Sequence, residues 1–180
     1  MLLQGDIRGF ELSTQGYTHA VHAATDVVEV VSELETFDVI TLGTRRFLDF
    51  CVKEKVCAAL VLSSGAVYGR QPSNLKAINE DYCGAPDSTL IRNAYGLGKR
   101  AAEWLSAVYA DKHSTPIKIA RLFAFGGPYL ALDKQFAFGN FIKNVLESED
   151  IVINGDGTPL RSYLYGADLA VWLWRILIAG

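Results

Sequence analysis

Cysteine is scarce in this chain and does not form pairs. Cys51, Cys57 and Cys83 are odd in number, and none stands in C-x-x-C spacing. A disulfide framework and a thiolate zinc site are therefore not implied, and a reduced, cytoplasmic compartment is the expectation. Long hydrophobic runs are also missing: no stretch approaches the roughly 18 apolar residues of a membrane span. The most apolar segment, "LAVWLWRILIAG", is interrupted by Arg175 and reads as a core-facing helix. "MLLQGDIRGF" carries Asp6 too early for a secretory signal, and no cleavage pattern follows. Neither sign of charge dominates. The net charge of −3, without a basic block, speaks against nucleic acid or an anionic membrane as partner. His19, His22 and His113 lack metal-ligand spacing, so no metal site is expected. There is no internal repeat and no low-complexity segment.

What is present is a globular composition. Half of the 180 residues are apolar and 21% are charged, which suits one domain or a large part of one. "VCAALVLSS" (56–64) and "IKIARLFAFG" (117–126) are continuous apolar runs, and "YTHAVHAAT" (17–25) is a weaker one. Strands apolar on both faces belong to parallel sheets covered by helices. Helical spacing fills the intervals at about 35–54 and about 92–111, so the order reads β-α-β-α-β, the doubly wound α/β class. From about residue 127 the texture changes. "GGPYL" reads as a loop, "FGNFIKNVLES" as a short helix, and "IVINGDGTPLRSYLY" as two short strands around a Gly-Asp-Gly turn. Ligands of open α/β sheets sit at the carboxyl ends of the strands. Here those ends are small residues: Ala23-Ala24-Thr25, Ser63-Ser64-Gly65 and Ala124-Phe125-Gly126.

"NAYGLGKRAAEWL" (93–105) places Tyr95 one helical turn ahead of Lys99, so both side chains share a face. With eight tyrosines and eight lysines in the chain, chance alone supplies about 0.4 such pairs, and the surroundings must decide. Those surroundings are the loop "GDIR" (5–8), "HAA" (22–24), "LSSGAVYG" (62–69), "YGLGK" (95–99) and "GDGTPLRSYLYGADLA" (155–170). In this order and spacing they resemble the extended short-chain dehydrogenase/reductases, the nucleotide-sugar epimerase/dehydratase family, over nearly the whole chain. The resemblance implies a Rossmann-like sheet and an enzyme using NAD or NADP, with NAD favoured, on a nucleotide-diphosphate sugar.

Residue by residue, it implies a catalytic Ser64, Tyr95 and Lys99. Asp6, Ile7, Ala23 and Ala24 would join Tyr95 and Lys99 in holding the cofactor. Ser64, Gly65, Asn140 and Arg161 would meet the substrate. Free tyrosine titrates near 10 and is a poor base at neutral pH, whereas a neighbouring ammonium favours its phenolate. Ser64 would hydrogen-bond the same sugar oxygen and position it. Structural roles are open to the same residues: Ser64 can cap a turn, Lys99 can lie in solvent, and Tyr68 can simply fill its loop. His22 suits a packed strand end, and Trp104, Trp172 and Trp174 suit packing or an interface.

Departures from the family pattern shape the remaining expectations. No Gly-x-x-Gly-x-x-Gly occurs, although the family carries it after its first strand to cradle the pyrophosphate. The chain is accordingly expected to be an internal part of a roughly 300-residue, two-domain enzyme. Residues 1–4 would form the family's third strand, and the first two strands would be absent. Residues 1–126 would be a partial dinucleotide-binding domain. Residues 127–180 would be part of a substrate-binding region that returns to a helix on the Rossmann side. Where sugar 4,6-dehydratases place Asp-Glu, this chain has Gly65 and Ala66, which cannot move a proton, so 4-epimerase or 4-ketoreductase is favoured over 4,6-dehydratase. A non-catalytic remnant that binds a partner or a nucleotide sugar is the alternative. Ile40 and Ala124 stand where many relatives have Asn. The helices near 36–53 and 92–111 resemble the family's dimer-forming pair, which makes Phe47, Phe50, Trp104 and Tyr109 candidates for a homodimer surface, a core position being equally open to each.

Overall fold

A computed structural model describes residues 4–10, 16–25, 32–134, 136–153, 155–158 and 160–180. Strands β1 (His19–His22), β2 (Ala58–Ser64) and β3 (Ile117–Leu122) form one parallel sheet in the order β1-β2-β3. Val21 lies opposite Leu60 and Val61 opposite Ile119. Parallel neighbours need long crossovers, and helices α1 (Glu33–Glu54) and α2 (Ala94–His113) supply them. The expected β-α-β-α-β unit is therefore present. The third family strand expected at residues 1–4 falls on residues 1–3, outside the described residues, and Gln4 carries no strand.

The helix limits follow from local chemistry. Ser32 caps α1, its Oγ accepting from the Glu35 amide at 3.2 Å, and Glu33 and Glu35 place negative charge in the first turn. Lys55, in the left-handed conformation, closes the other end. α2 begins two residues later than expected because Ile91–Asn93 form a 3-10 turn, with the Asn93 amide side chain donating to Asp87 O at 2.8 Å. It ends at Ser114, also left-handed, and Pro116 lies just beyond.

β2 is the spine of the core, and its side chains alternate between two layers. Ala59 and Val61 pack with Phe47, Leu48 and Cys51 of α1, and Leu105 and Tyr109 of α2 close over them. Ala58 and Leu60 face the other way, toward Ala120 and toward Leu177 of helix α4 (Gly166–Ala179). Fully burying a side chain such as Leu48, Leu60 or Leu177 contributes about 1.5–3 kcal/mol each. α4 is thus core-facing along Leu173, Ile176 and Leu177 only, while Val171, Trp172, Trp174 and Ile178 stand exposed. No helix among the described residues is long and apolar enough to cross a membrane.

Two expectations need correction. The run 117–126 is not one strand: it breaks at Phe123, and β4 (Ala124–Gly126) leaves the main sheet to pair in parallel with β5 (Tyr163–Tyr165). The backbone polar groups past Leu122 find their partner in a second, two-stranded sheet. The hairpin expected over 151–165 is also absent among the described residues. Residues 151–153 carry no strand, and the Asp156 carboxylate turns back to accept from the Thr158 amide and hydroxyl. This local Asx turn satisfies the loop without a second strand. Asn154 and Pro159 of this stretch lie outside the described residues. The short helix is present as α3 (Ala137–Glu147).

Candidate active site

Tyr95 and Lys99 lie on the first turns of α2, where the sequence placed them. The Lys99 ammonium is 5.7 Å from the centroid of the Tyr95 ring, within cation–π range. Lys99 is buried, not solvated: its Nζ donates to Leu62 O at 2.9 Å and Thr25 Oγ1 at 3.1 Å. Burial pulls its ammonium down to about 8, so it remains mainly protonated at neutral pH. Thr25, named in the sequence only as part of a strand end, is thus a hydrogen-bond partner of Lys99. It ties the loop after β1 to the charge beneath Tyr95.

Beyond the carboxyl end of β2, Gly65–Tyr68 form a 3-10 turn capped by Ser64, whose Oγ accepts from the Ala66 amide at 3.2 Å. The hydroxyl acts as an acceptor there and keeps its proton to donate elsewhere. Its neighbour differs. Ser63 is buried and donates to Glu103 Oε1 at 2.6 Å, so of the two serines Ser64 alone has a proton to offer a ligand. Gly65 lies under the Phe123 ring, where a Cβ would stand 2.5 Å from Cε1. Ala66, Arg70, Asp87, Arg92 and Asn93 line a cleft of about 620 Å³ together with Tyr95.

A second cleft, of about 320 Å³, opens beside the carboxyl end of β1. It gathers Asp6, Ile7, Ala24 and Thr25 with Arg8 and Glu35; Ala23 is outside its lining. Asp6 is engaged here. Its carboxylate accepts from the Arg8 guanidinium and from the Arg8 amide at 2.8 Å, and these bonds hold it down at about 2. Arg8 also pairs with Glu35 at 2.7 Å, joining this loop to the start of α1. Ile7 packs toward Gly43 of α1.

His22 is the packed strand-end histidine that its setting predicts. It stacks on Phe47 at 5.0 Å between ring centroids and meets Thr44 Oγ1 at 3.1 Å. Burial, with the Lys99 charge behind it, pushes the imidazole down to about 4, so it is neutral at pH 7. Ile40 is fully buried, and Gly98 of α2 leaves just enough room for it. At this position, where the family resemblance led one to look for Asn, the chain makes an apolar helix contact. Asn140 is half-buried in α3; Arg161 is exposed and donates to Leu160 O at 2.8 Å. Neither lines the two clefts.

The residues missed in sequence are Glu103 and Arg121. Glu103 accepts from Arg121 through both oxygens, at 2.9 and 2.8 Å, and Arg121 reaches the Tyr68 hydroxyl at 2.7 Å. Burial works to raise the Glu103 carboxyl, but the bonds from Arg121 and Ser63 outweigh it and hold it below its ordinary value. A signal was available. An arginine inside the apolar run "IKIARLFAF" must find a partner when the strand is covered.

Residues 5–179 match the model of the NAD dependent epimerase/dehydratase family. UDP-glucuronic acid decarboxylase 6 of Arabidopsis thaliana is 29% identical over 159 residues, 88% of this chain and 46% of that protein. Among solved structures, the UDP-glucuronic acid 4-epimerase of Bacillus cereus in complex with NAD superposes with a TM-score of 0.77 at 29% identity, covering 93% of this chain and 52% of the other. The dTDP-glucose 4,6-dehydratase of Bacillus anthracis, in complex with NAD, gives a TM-score of 0.80 at 20% identity over 99% and 55% of the two chains, a likeness of fold. The chain spans about half the length of the relatives it matches.

Proposed function

Because the chain belongs to the NAD dependent epimerase/dehydratase family, we propose that it carries the proton-transfer site of an oxidoreductase. This enzyme acts at the C4 hydroxyl or ketone of a nucleotide-diphosphate sugar, as a 4-epimerase or 4-ketoreductase. The observation that carries this reading is Tyr95, which opens on the 620 Å³ cleft with the buried Lys99 ammonium 5.7 Å from its ring. Tyr95 takes the proton of the C4 hydroxyl. Before that transfer the Lys99 ammonium stabilises the negative charge on the phenolic oxygen, which the incoming proton then neutralises, and the Ser64 hydroxyl donates a hydrogen bond to the sugar oxygen. A bound NAD supplies the hydride acceptor.

Support for the cofactor comes from the second cleft. Its residues Asp6, Ile7 and Ala24 suit the adenosine side of a dinucleotide, and Lys99 is linked to it through Thr25. A glycine-rich cradle for the pyrophosphate is not among the chain's residues. Residues 1–126 would then serve the cofactor and residues 127–180 the substrate, with Asn140 and Arg161 as substrate contacts outside the two clefts. Arg70 and Arg92 in the larger cleft offer counter-charge for an acidic sugar, and two of the relatives named above act on UDP-glucuronic acid. Gly65 and Ala66 have no proton to give, which weighs against a 4,6-dehydratase outcome. Three free cysteines suit a reduced, cytoplasmic setting.

Tyr95→Phe in the full-length protein tests the reading. Turnover of nucleotide sugar should fall by at least about 10²–10⁴-fold, while calorimetry should find substrate binding nearly unchanged. Wild-type turnover in the variant would remove Tyr95 from the reaction and sink the proposal.

A further inference from the structure

The Glu103–Arg121 pair lies outside both clefts, yet its reach is specific. Glu103 Oε1 accepts from the Ser63 hydroxyl at 2.6 Å, and Arg121 Nη1 donates to the Tyr68 hydroxyl at 2.7 Å. Ser63 and Tyr68 bracket the segment Ser64–Val67, so one carboxylate–guanidinium pair grips the capped turn at both ends. Arg121 Nη1 also donates to Glu80 O at 3.0 Å, and its guanidinium carbon stands 4.8 Å from the centre of the Tyr68 ring. From α2 a second arginine joins in: Arg100 Nη1 donates to Val67 O at 3.0 Å and to Gly84 O at 2.8 Å. Five parts of the chain meet here, namely β2, the turn, the 80–84 loop, α2 and β3.

We propose that Glu103, acting through Arg121 and Ser63, is a positioning residue that sets the Ser64–Tyr68 turn against Tyr95. The helix makes this possible. Tyr95 and Glu103 are both on α2, separated by roughly 12 Å at 1.5 Å of rise per residue. A rigid helix thus carries the proposed base at one point and the anchor of the opposing turn at another, and the spacing between Ser64 and Tyr95 is inherited from it. With its hydroxyl held on Glu103 of α2, Ser63 is also a fixed point immediately before Ser64. Side chains on flexible loops would leave Ser64 and Tyr95 to find each other anew in each turnover. Misplacement of about 1 Å can cost up to about 100-fold in rate.

The pair is well enough covered to act as a fixture. The Glu103 side chain is 14% exposed and that of Arg121 33%. Two parallel bonds between guanidinium and carboxylate fix orientation as well as distance. Neither group touches the reacting atoms, so their influence is confined to geometry.

The catalytic part of this inference rests on the reading of Tyr95 and Ser64 given above, and the experiment separates the two. Glu103→Ala and Tyr68→Phe are made singly and together in the full-length protein. In kinetics with nucleotide sugar, Glu103→Ala should lower kcat by about 10–100-fold with KM changed little. Tyr68→Phe should lower kcat by a smaller factor, and adding it to Glu103→Ala should have no further effect, since both cut the same link. Amide hydrogen exchange is read in parallel. Residues 65–69 should exchange faster in each variant, while residues 170–178 of α4 keep their wild-type protection. Unchanged exchange at 65–69 in both single variants would overturn the proposal. So would loss of protection in α4 equal to that at 65–69, because Glu103 would then merely hold the fold together. Tyr68→Phe deletes one oxygen and keeps the ring, so it decides the matter even if Glu103→Ala fails to fold. A wild-type protein inert toward every nucleotide sugar would sink the functional reading, and the exchange data would still decide this one.

Discussion

At the scale of single residues, burial sets the charge states of the site. Lys99 and His22 are both cations in water when protonated, and both are pulled down by desolvation, to about 8 and about 4. The consequence for stability has one sign. Below its unfolded value of 6.5, His22 binds a proton in the unfolded chain before it does in the fold. Stability should therefore fall as pH drops from about 6.5 to about 4, by on the order of 3 kcal/mol. Lys99 follows the same rule at the other end, so stability should rise between about pH 8 and 10.5. Urea unfolding across pH 4–7 checks the first statement. His22→Gln, which does not titrate but can still bond Thr44, should flatten the slope above pH 5, where carboxylates contribute little. An unchanged slope would mean that His22 is not the group responsible.

At the scale of elements, the site depends on how closely one loop approaches another. The 65–68 turn ends at Gly69, with φ 70° and ψ −151°, a region open to glycine and strained for other residues. A Cβ there would stand 2.2 Å from the Ala85 carbonyl oxygen, so the turn and the 84–86 loop touch backbone to backbone. Gly69→Ala should destabilise the protein by about 1–3 kcal/mol, through strain and loop displacement together. Gly9→Ala is the control: a Cβ at Gly9 meets nothing within 4 Å. The midpoints of chemical unfolding compare them, and equal midpoints for the two variants would contradict the contact. The same scale explains α1 and α2. They lie close where Gly98 leaves room for Ile40, one residue before the buried Lys99.

At the scale of the whole molecule, the question is which apolar surfaces remain open. Of the four aromatic residues expected at a dimer surface, Phe47 is buried in the core, and Phe50 and Tyr109 pack against it. Trp104, 66% exposed on α2, is the one that faces outward, and Leu42 on α1 is also exposed. A homodimer through this helix pair is accordingly expected for the full-length protein, with Trp104 as its anchor. Light scattering at micromolar concentration should report a dimer for the wild type and a shift to monomer for Trp104→Glu. A monomeric wild type would remove the proposal, and a dimer indifferent to Trp104→Glu would place the interface elsewhere.

Local pattern determined a good deal of this protein. The apolar runs at 56–64 and 117–126 and the helical spacing between them required a covered parallel sheet, because such strands have no polar face to offer water. The i, i+4 relation of Tyr95 and Lys99 is a property of any helix, and so it too was legible in the chain. Tertiary structure decided what no local pattern encodes. It split the third run at Phe123, since only a partner strand from residues 163–165 could draw 124–126 away. It also engaged Ser63, the neighbour of the Ser64 that the sequence resemblance had already singled out. Glu103 lies 40 residues from Ser63 and accepts a hydrogen bond from its hydroxyl, a pairing that no local pattern gives. The partners of buried charge are set by long-range geometry, and only the fold brings Arg121, Glu103 and Tyr68 together.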